Sequence, residues 1–393
     1  MKLTKKEIAR RLSIWNRTSS YEEAAKKIGI DSKTFADFLR RYSDEAPQLD
    51  PVERVGMKSQ LSYIKKERDA ALKRASAAEN IRGSLLNLPP PRKAPPRKPA
   101  KSSDGSRSVI LHLSDIHYGE VVRSSELDGV NSYNLDIADS RIQRTFDIFQ
   151  DLITKYWNGE PPEHIHLCLG GDMVSGALHE ELKRTDALQP LASARTVAQR
   201  LSEGVSGLLN AVQVPMSIYS VPGNHGRTTH KPETKGAAME SLDTMVAWFL
   251  EDQFRSHDDV QMFYGDSIDC LFDVYGRKFL LTHGDRMGSK GGAGFVGPVA
   301  TILRGHQKLS MDYADRGIIL YRILTGHFHT TSRLPIGYSN GSLMGWNDFA
   351  RDIRARKEIA SQNMLVVHSQ HGVINFQEIH PGLPDEGTIY QGT

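Results

Sequence analysis

The sequence predicts an α/β fold in which two packed β-sheets are flanked by helices, preceded by a small all-α domain. Three observations lead there. Five short apolar runs, at 109–113, 165–169, 216–221, 279–281 and 323–324, each end in a glycine or a polar turn, as buried strands do. Amphipathic stretches at helical spacing lie between them, and alternating strands and helices pack as layered sheets with helices outside. Residues 1–45 instead carry their apolar side chains at helical spacing around one turn glycine, Gly29. The length of 393 residues calls for two or three domains, and an apolar content of 39% can fill a sizeable core.

The first domain is placed at 1–48. Ile28, Ile30, Phe35, Phe38 and Leu39 form its expected core, Gly29 the left-handed turn position, and Asp31 or Ser32 the cap of the following helix. Ala25, Gly29 and Phe35 fall where a helix-turn-helix needs a small residue, a turn glycine and a core residue. The stretch resembles the helix-turn-helix of bacterial regulators and recombinases. That resemblance implies that Lys33, Arg40 and Arg41 face a nucleic-acid backbone; a three-helix protein-interaction module is the alternative.

Residues 49–87 read as a charged helical spacer, with Leu61, Ile64, Ala71, Ala75 and Ala78 near heptad spacing and Arg68 interrupting the stripe. Residues 88–107 are a Pro/Lys-rich linker of polyproline character. Charge is unevenly divided. Residues 1–107 hold 25 Lys and Arg against 13 Asp and Glu, a net of +12, and the remainder is left at −9. A basic arm on an acidic body suits a polyanionic partner, here nucleic acid and DNA first.

The catalytic domain is placed at 108–393. Helices are expected over 140–157, with Ile142, Phe146, Phe149, Ile153 and Tyr156 on the apolar face, then over 191–211 and 234–254. Two closing strands are expected at 364–368 and 372–377. Cys168 and Cys270 sit in strand-like runs and read as reduced core residues. No run approaches the length of a bilayer span and no secretory signal opens the chain, so no membrane partner and a cytoplasmic location are expected.

Each of the five strand-like runs is followed by a motif rich in metal ligands. These are Asp115-Ile116-His117, Gly171-Asp172, Gly223-Asn224-His225, Thr282-His283-Gly284 and Gly326-His327-Phe328-His329. Strand ends in an open α/β sheet are where ligand sites collect. Mixed oxygen and imidazole donors without thiolate suit manganese, iron or zinc rather than calcium. Two cations held close together need a carboxylate between them to offset their repulsion, and Asp172, beside Gly171, is suited to that place.

The motif set, from Val109 to Ser342, resembles the calcineurin-like metallophosphoesterases. The resemblance implies a four-layer sandwich and two divalent metal ions, manganese first with iron or zinc as alternatives. Asp115, His117 and His329 would bind one metal, Asn224, His283 and His327 the other, and Asp172 both. A bridging hydroxide would attack phosphorus, with His225 stabilising the phosphoryl oxygens or protonating the leaving group. His112, His164 and His166 read as structural, His179 as a surface residue or substrate contact, and Asp285 either as an orienter of His283 or as a simple turn carboxylate.

One departure is visible. The family places an acidic residue after the Gly-Asn-His triplet, where this chain has Gly226 and Arg227. Arg227, Arg286 and Lys290, in two basic glycine-containing loops, are the expected substrate contacts. The loops, with Gly171 to Gly176 and Asn340 to Ser342, look like the exonuclease-type members carried by phages and mobile elements. The expected activity is therefore a metal-dependent phosphodiester hydrolase, a DNA nuclease first. A phosphomonoesterase or small-nucleotide phosphodiesterase with a protein-binding N-terminal domain is the alternative. A DNA-binding regulator with an inactive body is disfavoured by the complete ligand set. No segment that would grip an ATPase partner is expected after Leu343, and the motifs do not encode an oligomeric state.

Overall fold

A computed structural model describes residues 3–15, 17–18, 20–42, 105–156, 161–176, 182–229, 231–287, 298–352 and 355–382. The chain divides into two compact units, Met1–Leu88 and Pro89–Thr393. The spacer at 49–87, the linker up to residue 104, His179 and Lys290 lie outside the described residues.

The first unit holds three helices, α1 (Lys5–Trp15), α2 (Tyr21–Ile28) and α3 (Ser32–Tyr42). Ser20 caps α2 through the Glu23 amide, and Gly29 ends it at φ +82°. Asp31 accepts the Thr34 amide at 2.9 Å and so caps α3. Ile8, Leu12, Ala24, Ala25, Phe35, Phe38 and Leu39 make the core, with Ile28 and Ile30 packed against it at partial exposure. Lys33, Arg40 and Arg41 are exposed on α3, and Arg40 pairs with Asp37 at 3.3 Å.

The second unit is built on two sheets. The first has the order β11-β10-β1-β2-β3-β4, from β1 (Arg107–Leu113), β2 (His164–Leu169), β3 (Met216–Ser220), β4 (Val260–Phe263), β10 (Gln362–His368) and β11 (Gly372–Ile379). The second has the order β5-β6-β7-β9-β8, from β5 (Asp269–Val274), β6 (Arg277–Thr282), β7 (Leu320–Thr325), β8 (Ser332–Leu334) and β9 (Gly337–Ser339). Strands β1 to β4 run parallel, as do β6, β7 and β9, with the remaining pairings antiparallel.

The side-chain period of two sends alternate residues of each strand to opposite faces. Ile110, Cys168, Tyr219, Leu365 and Val367 of the first sheet meet Phe272, Val274, Phe279, Leu281, Leu324 and Tyr338 of the second in one buried core. The Tyr219 and Phe272 rings stack across it at 4.2 Å. On the outside, helix Pro190–Val212 packs between helices Leu135–Asp151 and Leu242–Phe254. Helix Val299–Asp315 covers the second sheet, with Tyr313 against Leu280 and Ile323. The result is a helix–sheet–sheet–helix sandwich. Both cysteines are free, Cys168 within the inter-sheet core.

Two expected helices shift at their ends. The helix expected from residue 140 begins at Leu135, because Asn134 accepts the Ile137 amide and caps it earlier. Its last turn, Leu152–Tyr156, is a π-turn. The wider turn rotates the apolar face, so Tyr156 is 73% exposed rather than packed. The helix expected from residue 234 begins only at Leu242: Gly236 takes φ +70° and Ser241 supplies the cap. Among the described residues no helix is long and apolar enough to cross a membrane.

Candidate metal centre

The candidate ligands follow the C-terminal ends of five parallel strands, β1, β2 and β3 of one sheet and β6 and β7 of the other. Their backbones are unusual. Among the described residues eight non-glycine residues have positive φ, and five of them are Asp115 (+53°), His117 (+49°), Asp172 (+53°), His327 (+67°) and His329 (+49°). A left-handed backbone costs a non-glycine residue on the order of 1–3 kcal/mol and persists only where its surroundings enforce it. The concentration of that strain on one constellation marks a site whose side chains must point inward.

The extensions of β1 and β2 run together. Asp115 N donates to Gly171 O at 3.0 Å and His117 N to Asp172 O at 3.0 Å. The β2 and β3 loops touch through glycine. A Cβ on Gly223 would stand 2.1 Å from Asp172 Oδ1, so only glycine admits the carboxylate there. His327 N donates to Asp115 Oδ1 at 3.0 Å, which ties the β7 loop to the β1 loop across the two sheets.

Three triads of donor atoms result among the described residues: Asp115, His117 and His329; His117, Asp172 and His225; and Asp172, His283 and His327. Asp172 belongs to two of them. It lies at the junction, with Oδ2 3.0 Å from His283 Nε2 and Oδ1 accepting the His225 amide at 2.7 Å. Asn224 Oδ1 stands 3.2 Å from His283 Nε2. Thus Asp115, His117, Asp172, Asn224, His283, His327 and His329 are all brought to one place.

The donor set fits cations. His283 Nδ1 lies 2.8 Å from the Gly170 carbonyl, so that nitrogen carries the proton and donates it. Its Nε2 then faces two oxygens, Asp172 Oδ2 and Asn224 Oδ1, an arrangement that either a proton on Nε2 or a cation held among the three atoms satisfies. His117 Nε2 and His329 Nε2 stand 3.1 Å apart, where a proton on one of them or a cation between them serves equally. His117 Nδ1 is buried without a hydrogen-bond partner, its nearest carboxylate oxygen being Glu120 Oε2 at 3.8 Å. Oxygen and imidazole donors in these proportions suit divalent first-row metals.

The electrostatics agree. Burial works against a charged Asp115, but the hydrogen bond and charge of His329 outweigh it and hold the carboxyl down at about 2. Burial, with His225 and His329 beside it, keeps His117 well below its ordinary value and neutral, the form that binds metal. Burial opposes a charged His283, yet Asp172 outweighs it and raises that imidazole, so a cation bound there must displace the proton from Nε2.

His225 presents Nε2 to this cluster because Nδ1 lies 2.9 Å from the Ser175 carbonyl and donates to it. Its ring is 4.5 Å from that of His117, edge to face. The Nδ1 proton of His225 thus goes to a main-chain oxygen. Of the two readings of Asp285, the orienting one does not hold, because His283 Nδ1 is held by the main-chain oxygen of Gly170. Arg227 and Arg286 line an open groove that adjoins Asn224, together with Lys235, Glu233, Glu240 and Asp285. Arg286 Nη2 donates to Glu233 O at 2.9 Å and Arg227 Nε to Thr229 O at 3.2 Å. His112 and His166 are buried, and burial lowers them to about 4 and about 3.

Sequence reasoning missed the residues that hold the loops. Asn340 Nδ2 donates to His112 O at 3.1 Å and to Gln362 Oε1 at 3.0 Å, and Gln362 Oε1 accepts the Ser114 amide at 2.8 Å. Ser342 Oγ donates to Asp115 O at 2.9 Å. Asp243, fully buried, accepts main-chain N–H groups from both the β2 and β3 loops. These residues come from remote stretches without a local pattern; the only hint was the Asn340-Gly341-Ser342 triplet.

No protein-family model matches the chain, and no curated protein matches it. Among solved structures the chain is similar to the sulfate thiohydrolase SoxB of Thermus thermophilus, at 10% identity over 71% of this chain and 56% of that one, with a TM-score of 0.29. It is similar to the calcineurin-like phosphoesterase YfkN of Bacillus subtilis, at 11% identity over 70% and 90% of the two chains, with a TM-score of 0.29. It is also similar to the phosphopantetheinyl hydrolase PptH of Mycobacterium tuberculosis, at 10% identity over 71% and 98%, with a TM-score of 0.27. The aligned part thus spans little more than half the length of SoxB.

Proposed function

We propose that this chain is a phosphodiester hydrolase using two divalent cations, and that its substrate is nucleic acid, DNA first. The observation that carries the hydrolase reading is the placement of Asp172. It is a strained, buried carboxylate shared by two donor triads at the meeting point of both sheets. Asp115, His117 and His329 would hold one cation, and Asn224, His283 and His327 the other, with Asp172 between. Cations there supply Lewis-acid charge to a phosphoryl group. The chain supplies the rest. His225, fixed through Nδ1 by Ser175, offers Nε2 for proton transfer to a leaving oxygen. Arg227 and Arg286, on the groove beside Asn224, bind substrate.

The nucleic-acid reading is supported by the net charge of +12 on residues 1–107 and by Lys33 and Arg41 exposed on α3, with Arg40 beside them. One observation favours a smaller substrate: the groove pairs its three basic residues with Glu233, Glu240 and Asp285, so it is close to neutral. A parallel assay with manganese separates the two. Linear DNA, a bis-nitrophenyl diester and a nitrophenyl monoester are offered to the full chain. Cleavage of DNA and the diester is expected; monoester turnover with intact DNA supports the small-substrate reading instead.

Removing residues 1–107 should raise KM for DNA while sparing the small diester. Equal loss on both substrates would contradict delivery by the basic arm. Because phosphate contacts release counterions, the deletion should also flatten the dependence of DNA cleavage on salt.

A further inference from the structure

We propose that Asp243 is a positioning residue for the metal pair, clamping the loops that carry Asp172 and Asn224 so that one carboxylate can serve two cations. The proposal rests on the reading of Asp172 as the shared ligand. Asp243 is the second residue of helix Leu242–Phe254 and has no exposure to solvent. Its Oδ2 accepts Gly223 N at 2.7 Å and Asp172 N at 3.2 Å, and its Oδ1 accepts Met173 N at 2.9 Å. Three main-chain donors from two loops therefore converge on one carboxylate.

Two further features show that the surroundings are shaped for this group. Gly226 does not lie in the left-handed region, so its backbone does not call for glycine. A Cβ there would instead stand 2.5 Å from Asp243 Oδ2, 2.8 Å from its Cγ and 2.8 Å from Ser241 Oγ. The glycine leaves room for the carboxylate and for the hydroxyl that caps its helix. The same loop is fastened to the helix start, since Leu242 N donates to Gly226 O at 2.7 Å and Ser241 Oγ caps the Asp243 amide at 3.2 Å.

The clamp acts on the bridge directly. Asp172 keeps a left-handed φ of +53°, and its own amide is one of the three held by Asp243. Without that acceptor the strained residue can relax, and Asp172 Oδ1 and Oδ2 lose their fixed positions relative to Asn224. Hydrogen bonds to an ionised acceptor are the stronger kind. Their loss also leaves buried N–H groups without partners, a cost borne by the two loops.

The test uses the full chain and three variants, Asp243→Asn, Asp243→Ala, and Asp243→Ala combined with Gly226→Asp. Manganese binding is measured by titration calorimetry and the spin coupling of the bound ions by electron paramagnetic resonance, with metal-free melting as a control for folding. Asp243→Asn keeps the volume but offers one acceptor oxygen in place of two. It should weaken binding of the ion pair by roughly 10–100-fold, as removal of groups that orient metal ligands does, and the coupled spectrum should collapse toward that of isolated ions. The combined variant returns a carboxylate to the same space from residue 226 and should recover the coupled spectrum that Asp243→Ala alone loses.

A folded Asp243→Asn chain with unchanged affinity and coupling overturns the proposal, while leaving the two-metal reading intact. So does a combined variant that melts like the unsubstituted chain yet stays uncoupled. If the unsubstituted chain binds no coupled pair, the shared-ligand reading fails first and the proposal falls with it.

Discussion

Replacing Asp172 with asparagine should lower turnover by roughly a thousandfold or more and leave no tightly bound ion pair. Asparagine is, after glycine, among the residues that best tolerate a left-handed backbone, so the φ of +53° at this position is retained. Its side-chain oxygen can still accept the His225 amide, as Asp172 Oδ1 does at 2.7 Å. What disappears is the negative charge between His117 and His283. Two cations close together without a shared anion repel one another, and the pair contributes several kcal/mol of charge stabilisation in phosphoryl transfer. At about 1.4 kcal/mol for each tenfold change in rate, that loss is roughly three powers of ten. Turnover and manganese stoichiometry, measured on the same preparation, check the expectation. Near-full activity with two ions bound would show that Asp172 is a structural acid.

His225→Ala should separate chemistry from metal binding. The two outer triads, Asp115 with His117 and His329, and Asp172 with His283 and His327, are complete without His225. The variant should therefore keep two manganese ions. It should lose roughly 10²–10⁴-fold in rate on a natural diester, the usual contribution of a positioned acid–base group. A nitrophenyl ester, whose leaving group needs no proton, should lose much less. The third triad, in which His225 joins His117 and Asp172, sets the opposing outcome: departure of one ion from the variant would make His225 a ligand.

The candidate site was legible in the sequence to the extent that its chemistry is local. Asp115 and His117, Asn224 and His225, and His327 and His329 each lie within a few residues of the end of an apolar run, so strand and ligands are read together. The sheet cores were legible for the same reason, since short runs such as 109–113 have few alternatives to a buried strand. Long-range polar contacts left no such trace. Asp243 stands next to the Ser241 cap and reads as an ordinary acidic residue in a first helical turn. Its role depends on Gly223 and Met173, twenty and seventy residues away. The orientation of His283 comes from a main-chain carbonyl, which has no signature in sequence at all. Helix ends moved where a cap overruled the apolar period, at Asn134 and at Ser241. The π-turn at Leu152–Tyr156 turned Tyr156 away from the face that the period of 3.6 assigned to it.

The basic arm and the groove pull the substrate reading in different directions. Residues 1–107 are strongly cationic, whereas the groove beside Asn224 balances Arg227, Lys235 and Arg286 against three acids. Both follow if affinity for a polyanion resides in the arm and the groove serves to seat the group next to the scissile bond. Salt would then act mainly on KM for DNA, with little effect on turnover at saturation.

The most direct measurement is anomalous diffraction at the manganese edge from crystals grown with that ion. Two peaks roughly 3.5–4 Å apart are expected, one against Asp115, His117 and His329, the other against Asn224, His283 and His327, with Asp172 reaching both. A single peak, or manganese bound away from these side chains, would contradict that expectation.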